Sequence, residues 1–132
     1  MTRWIRTAIL ALSIIVAGCA PAAPPAEVAS VTPAEVRQMQ LSEPPPLMLD
    51  VRSPEEFAAG HVPGAIHIPF EQVTARVHEV EAAPTIVVYC AVGPRARKGE
   101  ASLLAAGVDA KRVRHMEGGM IAWEAAGLPV ER

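Results

Sequence analysis

The sequence predicts an α/β domain, a parallel sheet covered by helices on both faces. Three observations carry this prediction. The short apolar runs 47–51 (LMLDV) and 85–89 (TIVVY) have the length and β-branched character of strands buried on both sides. Segments with helix punctuation alternate with such runs from Leu47 onward. Cys90 ends the second run just before a helix-like segment, at the edge where open parallel sheets bind ligands.

In chain order, Val31-Thr32-Pro33-Ala34-Glu35 is a complete helix start. Thr32 is the N-cap, Pro33 takes the first helical position, Glu35 closes a capping box and Val31 can staple to Val36. The helix ends by Leu41, because Pro44-Pro45-Pro46 cannot continue it. The strand at 47–51 follows, with Asp50 polar in an otherwise apolar run. Ser53-Pro54-Glu55-Glu56 repeats the cap, proline and box, and Gly60 closes a short helix. A turn at His61-Val62-Pro63-Gly64-Ala65 leads to a short strand, Ile66-His67-Ile68. Phe70, Val73, Val77 and Val80 recur at helical spacing, which predicts one apolar face there with His78 off it. After the strand at 85–89 comes the loop Ala91-Val92-Gly93-Pro94, then a helix opened by Arg95 and closed by Gly107. The alternating segment 112–116 is expected as a strand toward the sheet edge. Gly118-Gly119 turns into a last helix, with Trp123 as core anchor and Gly127 and Pro129 ending it.

The amino-terminal 18 residues have a different character. Arg3 and Arg6 precede an apolar run, 8–16, too short to span a bilayer, and the small residues Ala17-Gly18 follow. This is the pattern of a secretory signal, residues 1–18. Val16-Ala17-Gly18-Cys19 resembles the lipobox of bacterial lipoproteins, which implies a lipid attached to Cys19 and a membrane-anchored protein on the periplasmic side of the cell envelope. Ala20, in place of an aspartate, favours the outer membrane. The competing expectation is cleavage near Ala20-Pro21 and a soluble periplasmic protein. Residues 19–30, rich in Pro and Ala, are expected as a tether, with the domain occupying 31–132.

With Cys19 acylated, Cys90 has no partner for an internal disulfide. An unpaired thiol is a liability in an oxidising compartment unless it is used. Removing residues 1–18 takes away Arg3 and Arg6 and no acid, moving the formal charge from −2 to −4, a balance that gives no support to nucleic-acid binding. His61 and His67 lack zinc-like spacing, and the chain has neither a P-loop nor a dinucleotide fingerprint, so no metal or cofactor is expected.

Cys90 is the candidate nucleophile, and only its thiolate would be a good one. Ala91, Val92, Gly93 and Pro94 form a loop whose N–H groups can make a nest for negative charge, with Gly93 allowing a close backbone turn. Pro94 presets the helix start, and Arg95 can complete the cradle and offer a fork to an oxyanion. Arg97 and Lys98 add to a local positive field. A free cysteine is also among the most buried residue types, so strand and helix alone leave Cys90 equally readable as a small core residue.

Cys90-Ala91-Val92-Gly93-Pro94-Arg95 resembles the C-x-x-G-x-R loop of rhodanese-like sulfurtransferases. Three further segments are similar to the family's other motifs. They are Leu49-Asp50-Val51-Arg52, the stretch 56–69 (EFAAGHVPGAIHIP), and 117–123 (EGGMIAW) with Gly127-Leu128-Pro129-Val130. The resemblance covers about 46–130. It implies a rhodanese-like fold with a central five-stranded parallel sheet. It also implies that Cys90 accepts a sulfane sulfur from a small anionic donor such as thiosulfate and passes the persulfide sulfur to a thiol or cyanide, a protein thiol among the acceptors. Asp50 and Arg52 are implied near the loop, Asp50 in a structural role with Arg52 or a loop N–H as partner. Phosphatases sharing the fold have a cysteine loop one residue longer, which lowers that reading. Ala91 stands where many thiosulfate-using members carry a base, Ala96 where many carry serine, and Glu55 and Glu56 lie where some carry a donor-binding arginine. These departures weigh against efficient thiosulfate turnover. The alternative function is a non-catalytic binding or sulfur-carrier module.

Overall fold

A computed structural model describes residues 26–132 together with Gly18. The signal segment and the lipobox Cys19 expected from the sequence lie outside these residues, apart from Gly18. Among the described residues no helix is long and apolar enough to cross a membrane.

Five strands, β1 (Ala29–Val31), β2 (Leu47–Asp50), β3 (Ile66–His67), β4 (Ile86–Tyr89) and β5 (Val113–Met116), form one sheet in the order β1-β5-β4-β2-β3. Every pairing is parallel. The helices are α1 (Pro33–Gln40), α2 (Pro54–Ala59), α3 (Pro94–Ala105) and α4 (Gly119–Ala125). All four residues of β4 are buried, as expected of a central strand covered on both sides. Alternation along β4 then splits the core in two. Ile86 and Val88 join Leu49, Leu103 of α3 and Val113 on one face, while Val87 and Tyr89 join Val36 of α1, Met116 and Trp123 of α4 on the other. Trp123 is fully buried, and its Nε1–H donates to the Pro129 carbonyl at 2.8 Å.

The capping boxes at Thr32/Glu35 and Ser53/Glu56 are both formed, each with proline in the first turn. Three expectations need correction. The tether does not extend to residue 30: Ala29 and Ser30 pair in register with Arg114 and His115, so the domain begins at least two residues before 31. Because β1 covers β5, the strand at 113–116 lies inside the sheet rather than toward its edge. The segment 70–80 is not a continuous α-helix but two 3-10 turns, Phe70–Gln72 and Val77–Glu79. Pro69 provides no side-chain cap, and Val73, Thr74, Val77 and Val80 are β-branched, which disfavours helix. Their apolar face survives, with Val73 and Val80 buried.

The topology places the ends of β4, β2 and β5 side by side, with the starts of α3 and α4 above them. Gly119 is what lets α4 approach so closely. Its φ is +57°, and a Cβ there would stand 2.4 Å from the Cys90 carbonyl oxygen and 2.6 Å from Ala91 backbone atoms. Gly107, at φ +96°, has nothing within 4 Å of such an atom. Gly107→Ala therefore carries only the left-handed backbone strain, about 1–2 kcal/mol. Gly119→Ala adds an overlap with backbone that cannot rotate away, for a total of about 2–5 kcal/mol. Urea unfolding of the two variants checks this, and equal losses would show that the loop yields to α4.

Candidate active site

Cys90 is the first residue past β4, and the loop that follows is pinned from one side. The N–H groups of Met120 and Ile121 donate to the carbonyls of Cys90 (2.8 Å) and Ala91 (3.2 Å). In a planar trans peptide the N–H points opposite to the C=O. Fastening those two carbonyls to α4 therefore turns the N–H groups of Ala91 and Val92 away from it. Among the described residues neither has a protein acceptor. The next amide, that of Gly93, donates to Cys90 Sγ at 3.0 Å. Gly93 holds φ +156° with ψ −45°, a combination that L side chains rarely adopt. Pro94 then opens α3, whose twelve residues direct a positive dipole end at the loop. The Cys90 residue is 1% exposed and packs with the core on the α3 face.

The sequence thus places Cys90, Ala91, Val92, Gly93 and Pro94 in a turn that presents backbone donors, one of them already on the sulfur. Arg95 behaves differently. Its guanidinium forks onto Glu56, with Nη1 to Oε1 at 2.6 Å and Nη2 to Oε2 at 2.9 Å, instead of completing a cradle around Sγ. Both side chains are about one-third exposed, 31% and 35%. The Arg95 hydrogen bonds hold the Glu56 carboxyl at about 2, far below its ordinary range. In return, hydrogen bonding to Glu56 raises Arg95 against the opposing effect of burial, and the Glu56 charge adds to the rise. The sequence reading gives Glu56 a capping role and a place where some relatives carry a donor-binding arginine, but not this pairing with Arg95.

Asp50 and Arg52 lie just behind, at the end of β2, and both are buried. Arg52 reaches Asp50 through its backbone N–H (3.0 Å), Nε (3.0 and 3.1 Å) and Nη2 (2.6 Å), and Nη2 also donates to the Gly60 carbonyl at 2.7 Å. Burial works against the Arg52 charge, yet the Asp50 hydrogen bonds and charge outweigh it and raise its pKa. Tyr89 flanks the pair, its ring 5.8 Å from the guanidinium carbon, and its hydroxyl accepts the Val62 N–H at 3.1 Å. Burial first, then the Asp50 charge, pushes the Tyr89 phenol far up, so it holds its proton. His61 stacks on Phe57 at 3.8 Å, and the His67 ring bonds the Arg52 carbonyl at 2.7 Å, so both are packing residues. Among the described residues no three His, Cys, Asp or Glu side chains cluster as metal ligands would.

A cleft of about 250 Å³ opens beside the loop, lined by Arg52, Glu56, Gly60, Ala91, Met120 and Ile121. A second, of about 270 Å³, lies on the far side of Arg95 against Val51, Pro54 and Phe70. The first touches the cysteine loop at Ala91 and the second touches Arg95, while Cys90 itself lines neither. The Glu56–Arg95 pair stands between the two.

Residues 32–126 match the family model described as the rhodanese-like domain. A protein named sulfurtransferase from Allochromatium vinosum is 36% identical over 84 residues, 64% of this chain and 77% of that protein. An HTH-type transcriptional regulator of Mycobacterium tuberculosis is 40% identical over 85 residues, 64% of this chain but only 37% of that protein. The chain thus spans most of the first of these relatives and little more than a third of the second. Among solved structures, a rhodanese-like domain protein from Staphylococcus aureus superposes with a TM-score of 0.67 at 31% identity, over 80% of this chain and 100% of that one. With its parallel sheet, its cysteine turn at the carboxyl edge and these likenesses, the chain belongs to the rhodanese-like domain family.

Proposed function

We propose that this protein is a sulfurtransferase that carries a sulfane sulfur on Cys90. The carrying observation is the turn itself. The Gly93 N–H lies on the sulfur, and the Ala91 and Val92 N–H groups are left without protein acceptors because their carbonyls are fastened to α4. In the proposed reaction the Cys90 thiolate attacks the outer sulfur of a donor such as thiosulfate. The donor's S–S bond breaks, sulfite leaves with the electron pair, and a persulfide anion remains. Cyanide or a thiolate, including one on a protein, then attacks the terminal sulfur and the Cys90 thiolate is regenerated. Backbone N–H groups serve the negative charge at each stage. With Cys90 almost wholly covered, a donor reaches it by a terminal atom, which a sulfane sulfur supplies. The likeness to a protein named sulfurtransferase supports the reading.

A second reading, a module that binds or carries sulfur without turnover, draws on the buried sulfur and on the Glu56 carboxylate that already occupies the Arg95 fork. In either case the amino-terminal pattern favours a domain held on the periplasmic side of the cell envelope by a lipidated Cys19.

Three experiments follow. Intact mass after incubation with thiosulfate should show the gain of one sulfur, removed by cyanide as thiocyanate, and Cys90→Ser should lose both. A stable adduct that cyanide does not discharge favours the carrier, and a variant that retains turnover rules out Cys90. Glu56→Gln should speed thiosulfate capture by up to about fivefold, because a part-exposed pair is worth at most about 1 kcal/mol. Slower capture would mean that Glu56 positions Arg95 instead of competing for it. The pH behaviour carries its own sign. Held at about 2, Glu56 stays ionised through the assay range, so the fork is occupied throughout. Its contribution to stability is complete above the ordinary carboxylate pKa of about 4.3 and disappears as the pH falls through its lowered value. Finally, cells fed labelled palmitate should incorporate it into the wild type and not into Cys19→Ala, whereas label retained in the variant would exclude acylation of Cys19.

A further inference from the structure

Glu100 of α3 and His115 of β5 are buried, ionisable and unused by the reaction above. Their side chains are 3% and 7% exposed, and His115 Nδ1 lies 2.5 Å from Glu100 Oε1. The other Glu100 oxygen accepts Arg97 Nη1 at 3.2 Å. The far edge of the imidazole faces the cysteine loop: a Cβ on Gly93 would stand 3.9 Å from His115 Nε2 and 4.0 Å from Cε1. Gly93 is the residue whose N–H donates to Cys90 Sγ. A continuous file therefore runs Arg97, Glu100, His115, Gly93, Cys90.

A buried pair of this kind is weak evidence for stability, because well-packed apolar residues of similar volume often serve as well. A pair that stability alone does not call for thus stands directly behind the cysteine loop. A carboxylate bonded to Nδ1 keeps a proton there and presents Nε2 outward. Arg97 and Glu100 offset each other in charge. Protonation of His115 then leaves one unmatched positive charge behind the Gly93 peptide, in surroundings where screening is weak. The groups around the ring are few. Arg97 and Glu100 come from α3 and Cys90 lies across the Gly93 peptide, while the register neighbours are Val88 of β4 and Ser30 of β1, neither of which titrates.

We propose that His115, oriented by Glu100, is a positioning residue that holds a proton behind the cysteine loop and thereby keeps Cys90 in its thiolate form. This deepens the sulfur-transfer reading and rests on Cys90 being its nucleophile, whichever donor it takes. The coupling is reciprocal: the thiolate favours the imidazolium as much as the imidazolium favours the thiolate.

The test uses the full chain, with iodoacetamide alkylation followed at the Cys90 peptide by mass spectrometry. Near neutrality His115→Asn should slow alkylation by about tenfold, the equivalent of one pKa step, and Glu100→Gln should act in the same direction by less. Well above the thiol's ordinary pKa of about 8.5 all three proteins should react alike, since the thiolate then forms unaided. Wild-type rates at every pH, or a loss of the same factor at every pH, would overturn the proposal, the latter marking a purely structural pair. Should His115→Asn fail to fold, the reciprocal measurement decides. The His115 ring titration, followed by NMR, should move to lower pH in Cys90→Ser, and an unmoved midpoint refutes the coupling. Alkylation needs no sulfur donor, so a protein that shows the coupling but transfers no sulfur would sink the sulfurtransferase reading and leave this one standing.

Discussion

Two hydrogen bonds, from the first turn of α4 to the carbonyls of Cys90 and Ala91, determine what the carboxyl edge of the sheet can do. They orient two peptide planes, and a planar peptide has no freedom to aim its two ends separately. Once the carbonyls are taken, the N–H groups of Ala91 and Val92 face the other way, and the chain must turn sharply at Gly93 to enter α3. The sheet supplies the platform, since β4 ends where the turn begins. The absence of a side chain at Gly119 permits the approach. The amides of Ala91, Val92 and Gly93 become the turn's donors because the carbonyls of Cys90 and Ala91 are already engaged.

The two ion pairs near this loop differ in kind, and burial decides which of them can move. Asp50 and Arg52 are enclosed and joined by several hydrogen bonds. Removing one partner from such a pair costs about 3–5 kcal/mol, because the survivor keeps an uncompensated buried charge. That pair fastens the end of β2 to Gly60 and to the surroundings of Tyr89, and it has no freedom to answer a ligand. Glu56 and Arg95 are part-exposed and linked by an ordinary fork, in the range of 1 kcal/mol or less. In the proposed reaction, an incoming oxyanion would have to compete with that carboxylate for the Arg95 fork. The tighter of the two pairs is thus the enclosed one at the end of β2, and the looser is the part-exposed one beside the cysteine loop.

Much of this was legible in the sequence. Thr32 with Glu35 and Ser53 with Glu56 announce their capping boxes through spacing alone, a local signal that needs no partner elsewhere. Apolar runs mark β2 and β4 because strands buried on both faces carry few polar positions, Asp50 at the end of β2 being the exception. Three-residue β1 has no such signature, and without it β5 could not be placed inside the sheet. The Arg95–Glu56 fork joins residues 39 apart, and nothing in the spacing of either reports it. The Glu100–His115 pair did leave a trace. Ala96, Gly99, Glu100 and Leu103 form the buried stripe of α3, so one charged residue stands in an otherwise apolar row. His115 shares its strand parity with Val113, which faces the same core. A charge on a helix's inner stripe and a histidine on a strand's inner parity each need a partner, and each is the other's.

Under the proposed sulfur transfer, the loop amides would divide their work according to where the charge travels. In the thiolate the negative charge lies on Sγ, within reach of the Gly93 N–H. In the persulfide of the proposed reaction Sγ would be neutral and the charge one atom farther out, so the Gly93 bond would weaken and donors farther along the turn would be needed. The Ala91 and Val92 N–H groups, with their carbonyls fixed on α4, are the ones left to meet it. A turn whose donors all favoured the inner sulfur would bind the resting thiolate and oppose transfer, whereas one favouring only the outer sulfur would hold the persulfide and resist giving it up. Splitting the donors between the two positions would keep the charge solvated in both states, as the proposed acceptance and release of sulfur requires. An imidazolium behind Gly93 would act on the same balance from the inner side, strengthening the thiolate end, where the sulfur is otherwise covered by hydrocarbon and only one amide reaches it.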